Sequence, residues 1–311
     1  MLLWGLLGPA WLGSVPAQAY VREVTSKGVP IAWSYPCVSM HVSLDAPPPV
    51  LTSADVLAAA TAAMATWSFP QVAGTDIRLN LVVEPQATLA AGYDKKNVIV
   101  FRQDNWCREY SLPDDGGAPG SDCYPSSALA VTSIFKNTKT GEILDADIEF
   151  NAVNFPWGDL VGQPALATSD TADFQNALTH ELGHVVGLDH TCYTPNDGPT
   201  RPYDNTGSPA ADCSAALPAA ITEATMYPSV VLSDTLRRDL AADDILGVCE
   251  IYPHRHEVCP VPGDGGCSLT ARPGASRGAW LTILFVLVGL PVVALAIHRS
   301  RHRPSAILRR S

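Results

Sequence analysis

Five residues stand at a spacing that lets them do chemistry together: His180, Glu181, His184, Gly187 and His190, within the stretch HELGHVVGLDH. Two histidines four apart on a helix project from one face, one turn above the other. Such a pair can bind one metal ion, and Glu181 then stands beside the first ligand, where a water on that ion would sit. Gly187 falls three residues after His184, where a chain leaving a helix often needs a left-handed backbone. The turn it permits brings His190 back as a third nitrogen ligand. Three protein ligands leave a fourth zinc position open to water, which marks a catalytic rather than a structural site. Five fixed identities at fixed spacing arise by chance in a chain of 311 residues on the order of 10⁻⁴ times. A helix with incidental histidines is a poor explanation.

The elements that must position these residues are legible in the hydrophobic pattern. Ser169 and Asp170 are expected to cap the motif helix, with Phe174, Ala177, Leu178, Leu182, Val185 and Val186 on its buried side. Pro30 to Leu44 reads as a first strand with Val38, Met40 and Val42 on one face. Thr52 and Ser53 can cap a helix whose stripe of Val56, Ala60, Met64 and Trp67 is core packing. Ile77 to Glu84 and Asn97 to Arg102 read as strands by their Val and Ile content. Asp104 to Ser127, rich in Gly, Pro, Asp and Ser, reads as a long surface loop. Ala128 to Phe135 and Glu142 to Asn151 flank a turn at Asn137 to Gly141 and predict a hairpin. Thr191 to Glu223 is polar and turn-rich, and Leu240 to Gly247 reads as a helix whose residues are expected only to pack.

Composition and charge bound the setting. Met1 to Ala19 is apolar and ends in Ala17-Gln18-Ala19, the pattern of a signal peptide cleaved before Tyr20. Eight cysteines in an exported chain, with no C-x-x-C pair, predict disulfides. Local spacing suggests Cys107 with Cys123 and Cys192 with Cys213, and leaves Cys37, Cys249 and Cys259 unplaced. Between Tyr20 and Pro253 there are 12 Lys plus Arg against 29 Asp plus Glu, a net −17 that argues against nucleic-acid binding. His254 to Gly278 reads as a linker. Ala279 to Ile297 has no charged residue and is long enough to span a bilayer. The five arginines between Arg299 and Arg310 predict a cytoplasmic tail over 298–311, with the region before the span outside the membrane.

The pattern HExxHxxGxxH resembles the zinc signature of the metzincin metallopeptidases, and Gly187-Leu188-Asp189-His190-Thr191 is most similar to the matrixin branch. Thr225-Met226-Tyr227-Pro228 resembles the methionine turn of that branch. The resemblance runs over roughly 20–253 and is specific at these two motifs. It implies an α+β catalytic domain with a twisted mixed sheet over an active-site helix, one catalytic zinc on His180, His184 and His190, and Glu181 as the base acting on the zinc-bound water. It implies that Met226 forms an apolar floor under the metal, and that a protein or peptide substrate pairs in extended form with an edge strand, for which Ala128, Leu129 and Ala130 are candidates.

Several departures qualify the resemblance. No cysteine-switch segment precedes the domain. His41 is the one histidine between Tyr20 and the motif, so the second zinc site of many matrixins has no ligand set. The stretch after His190 is longer than the matrixin pattern and is expected to shape the pocket wall. Asp145, Asp147 and Glu149 offer oxygens to a calcium ion, although alternation on an exposed strand face explains them equally well. Gly265-Gly266-Cys267, the apolar span and the arginine cluster resemble the Myxo-CTERM sorting tail of myxobacterial surface proteins. A membrane anchor is the plainer alternative. The expectation is an exported or surface-displayed zinc endopeptidase; a surface binding or adhesion module with an idle zinc site is the competing class.

Overall fold

The computed structural model describes residues 20–84, 88–110, 120–166, 168–195, 200–255 and 259. The expected signal peptide, membrane span and tail lie outside these residues, as does Cys267. No helix among the described residues is long and apolar enough to cross a membrane.

The chain opens with β1 (Val21–Arg22) and reaches the sheet at β2 (Cys37–Ser43). Alternation in β2 buries Val38, Met40 and Val42 on one face, as the pattern predicts. Helix α1 (Ser53–Trp67) begins at a reciprocal cap. Thr52 Oγ1 accepts from the Asp55 N–H at 3.1 Å and the Asp55 carboxylate accepts from the Thr52 N–H at 2.8 Å. Strands β3 (Arg78–Glu84) and β4 (Val98–Arg102) follow. Cys107–Tyr110 (β5) and Gly120–Cys123 (β6) pair antiparallel, and then come β7 (Ala130–Lys136) and β8 (Ile143–Asn151).

Five of these strands form one mixed sheet in the order β3-β2-β4-β8-β7. Its first three pairings are parallel, and β7 is an antiparallel edge joined to β8 by the expected hairpin. The stretch Asp104–Ser127 departs from the expected loop: β5 and β6 face each other with Cys107 opposite Cys123, joined as a disulfide. Short strands rich in polar residues lack the apolar alternation by which strands are read.

One sheet face carries the helical layer. Trp157–Gly158 (β9) and Ala172–Asp173 (β10) form a short parallel pair that leads straight into helix α2 (Phe174–Val185). The rings of Phe101, Phe150 and Phe174 lie 5.0–5.4 Å apart and Trp157 stands edge-on to Phe150 at 5.1 Å, so β4, β8, β9 and the start of α2 share one aromatic cluster. Trp67 donates its indole N–H to Thr179 O at 2.8 Å, which fixes α1 against α2. The predicted stripes of both helices are buried.

The opposite face of β8 is covered as well, which corrects the exposed face expected for Asp145, Asp147 and Glu149: all three are buried. Asp145 accepts from the N–H groups of Asp94 and Lys95, and Asp147 from those of Gly92 and Val98. Glu149 accepts from Arg102 Nε at 2.6 Å and from the Tyr124 hydroxyl at 2.9 Å. Their oxygens organise the segment 92–98 that crosses over the strand, where the sequence showed only period-2 acidity. Alternation alone does not say which face stays wet.

After α2 come β11 (Leu188–Asp189), β12 (Cys192–Tyr193), β13 (Ala211–Asp212), a short helix α3 (Ala219–Thr222) and helix α4 (Ala242–Ile251). Strands β12 and β13 pair in parallel beside the expected Cys192–Cys213 disulfide. A third disulfide joins Cys37 to Cys259, and Cys249 is a free thiol. The expected linker therefore begins with residues still fastened to the domain. His254 stacks on Phe69 and bonds Asp76, and Cys259 ties back to β2.

Candidate metal centre

Helix α2 places His180 and His184 on one face, and its two ends explain how. The N-cap is Asp173, whose carboxylate accepts from the Asn176 N–H at 2.8 Å, rather than the expected Ser169 or Asp170. Pairing of β10 with β9 keeps the backbone extended through Asp173, and Asp170 bonds Thr168 instead. The helix ends where Gly187 adopts φ +93°. A side chain there would also run into Ile31 O, at 2.8 Å from the added carbon, so glycine is required twice over. Beyond it Leu188 and Asp189 pair antiparallel with Arg22 and Val21, and this returns His190 to the other two histidines.

The ligand atoms of His180, His184 and His190 lie within 4.8 Å of one another. Among the described residues this is the one group of three or more His, Cys, Asp or Glu side chains close enough to share an ion. Two of the rings have their tautomers set by carbonyls, which can only accept. His180 Nδ1 donates to Thr225 O at 2.6 Å, and His184 Nδ1 donates to Leu188 O at 2.9 Å. In a neutral ring whose Nδ1 donates, Nε2 is the nitrogen that offers a lone pair. His184 Nε2 lies 3.2 Å from His190 Nε2, a closeness that a shared cation satisfies. Burial, then the neighbouring His184 and His190, hold His180 well below the usual imidazole range, so it is a neutral donor. The chemistry of the donor set fits a metal ion.

Glu181 is buried beside the trio, and its carboxyl is pushed up chiefly by that burial, against the opposing pull of His184 and of a hydrogen bond from Thr132. That bond runs from Thr132 Oγ1 on β7 to Glu181 Oε2 at 2.6 Å. Met226 lies buried against α2, packed on Gly183.

The edge strand is near the site, with its three expected residues in different situations. The Asn151 N–H donates to Leu129 O at 2.9 Å, and register alternation then turns the backbone groups of Ala130, Thr132 and Ile134 toward the open edge. Ala130 opens β7. Leu129 and Ala128 precede it, and their carbonyls accept from Asn151, while the Ala128 N–H bonds Pro125 O.

Sequence reasoning missed the residues that hold the turn around Met226. The Asp244 carboxylate accepts from the Thr225 N–H at 3.0 Å, so α4 steadies the residue whose carbonyl orients His180. The buried Arg237 guanidinium donates to Ala224 O at 3.1 Å and Ser229 O at 2.6 Å. Arg238 bonds both Asp159 and the capping Asp173. Two adjacent arginines in an acidic domain, and two adjacent aspartates opening an apolar helix, were the available signals.

Fold and site together define an α+β protein with a three-histidine centre able to hold a metal ion. No protein-family model matches the chain, and no curated protein matches it.

Proposed function

We propose that this protein is an exported zinc-dependent endopeptidase of the metzincin class, similar to matrixins. The observation that carries the reading is the convergence of three imidazoles, two with Nδ1 held by backbone carbonyls, beside a buried carboxylate. Three nitrogen ligands suit zinc with an open position. Met226 beneath the motif helix and an open sheet edge beside Glu181 support the same reading. Three disulfides agree with an oxidising compartment.

His180, His184 and His190 would hold the zinc, which would supply Lewis acidity at the site when bound. Glu181, whose carboxyl is raised by burial, takes the proton of the attacking water and returns it to the departing amine. The outward backbone groups of Ala130, Thr132 and Ile134 receive an extended peptide as an added strand. Thr225 O and Leu188 O keep two ligand rings aligned through turnover. Asp145, Asp147 and Glu149 stay structural, since protein donors already engage them.

The test is incubation of the purified protein with a mixed peptide library, with chelator and after zinc is restored. Cleavage that chelator abolishes and zinc restores supports the reading. An inert protein with full zinc occupancy favours the surface binding module instead.

A further inference from the structure

The side chain that holds Glu181 comes from the sheet edge, not from the helix that carries it. Thr132 lies in the third position of β7, opposite Ile148 on β8. Its β-branched side chain is restricted on a strand, so the hydroxyl sits in a fixed place. From there Oγ1 donates to Glu181 Oε2 at 2.6 Å. Among the described residues no other side chain hydrogen-bonds that carboxylate. A glutamate with no anchor spreads over several rotamers, and a general base must lie within hydrogen-bond reach of its proton.

We propose that Thr132 is a positioning residue for Glu181: its hydroxyl fixes Oε2 and leaves Oε1 as the oxygen that takes the proton. The inference rests on the peptidase reading and deepens it. The strand that would receive an extended peptide thereby also sets the base, because the backbone of Thr132 faces the open edge while its side chain reaches Glu181. Position 132 needs a hydroxyl for this, and shape alone does not suffice.

Two variants separate the hydroxyl from the shape. Thr132→Val keeps the volume and the branching, and Thr132→Ser keeps the hydroxyl. On a reporter peptide taken from the library, Thr132→Val is expected to lower kcat about 10- to 100-fold with KM changed by less than about twofold. Zinc content and melting temperature stay at wild-type values. Thr132→Ser is expected to recover kcat to within about threefold of wild type. Crystal structures of the zinc-loaded wild type and Thr132→Val supply a readout independent of turnover, with the Glu181 carboxylate displaced or spread over rotamers only in the variant. Wild-type kcat in Thr132→Val, an equal loss in Thr132→Ser, or an unmoved Glu181 overturns the proposal. If the zinc-loaded wild type cleaves nothing, the peptidase reading fails, and the pair of crystal structures still decides whether Thr132 places the carboxylate.

Discussion

Met226 occupies the space that a side chain on Gly183 would need. A Cβ added at Gly183 would overlap Met226 Sδ and lie 3.0 Å from both Met226 Cε and Trp67 Cζ2. The second variable position of the HExxH pattern is thus glycine because Met226 packs there. Gly183→Ala gains about 1 kcal/mol of helix propensity, but forcing atoms into a packed site costs about 1–3 kcal/mol. Met226 and Trp67 are both buried and cannot swing aside. The overlap should win, lowering stability in urea unfolding. Zinc affinity should fall about tenfold as the turn that orients His180 shifts. A more stable variant with unchanged zinc affinity contradicts this packing.

Asp243 gives the fold a pH dependence. Burial, then the adjacent Asp244, push its carboxyl from an ordinary 3.8 up to about 7. Because the folded value is the higher one, the folded state holds the proton more tightly than the unfolded chain. The associated stability is fully present below about pH 4 and is lost as pH rises through about 7. Asp243→Asn keeps the neutral form at every pH. The variant's stability minus the wild type's, from urea unfolding with chelator present, should rise between pH 4 and pH 8 by about 2 kcal/mol or more. A flat difference contradicts the assignment. Subtraction also removes the contributions common to both proteins.

The Cys37–Cys259 disulfide moves the end of the folded unit beyond Pro253. Replacing both cysteines by serine should cost about 2–4 kcal/mol in unfolding under oxidising conditions and nothing under reducing conditions. A chain ending at Pro253 should show at least the same loss, since it also removes His254 from Asp76 and Phe69. Equal stability of all forms contradicts this connection.

The candidate metal centre was more legible in the sequence than its support. Ligand spacing on a helix and a left-handed glycine are local, so His180, His184, Gly187 and His190 could be read directly, and the structure brings them together. Alternation in β2 and the stripe of α1 likewise followed from periodicity and both are buried. What escaped depends on partners distant in sequence. Thr132 meets Glu181 across 49 positions and Arg238 meets Asp173 across 65. The N-cap slipped from Ser169 or Asp170 to Asp173 because a two-residue parallel pair, too short to leave a pattern, extends the chain first. The acid strip of β8 showed the right period, but nothing in its own residues tells that segment 92–98 folds over it.

The central claim is that Glu181 is the base of a zinc peptidase, and it meets its most direct test in Glu181→Ala at matched zinc occupancy. On a peptide that the wild type cleaves, kcat/KM should fall about 10²- to 10⁴-fold, with zinc bound stoichiometrically through the unaltered His180, His184 and His190. Full cleavage by Glu181→Ala with zinc in place would contradict the mechanism.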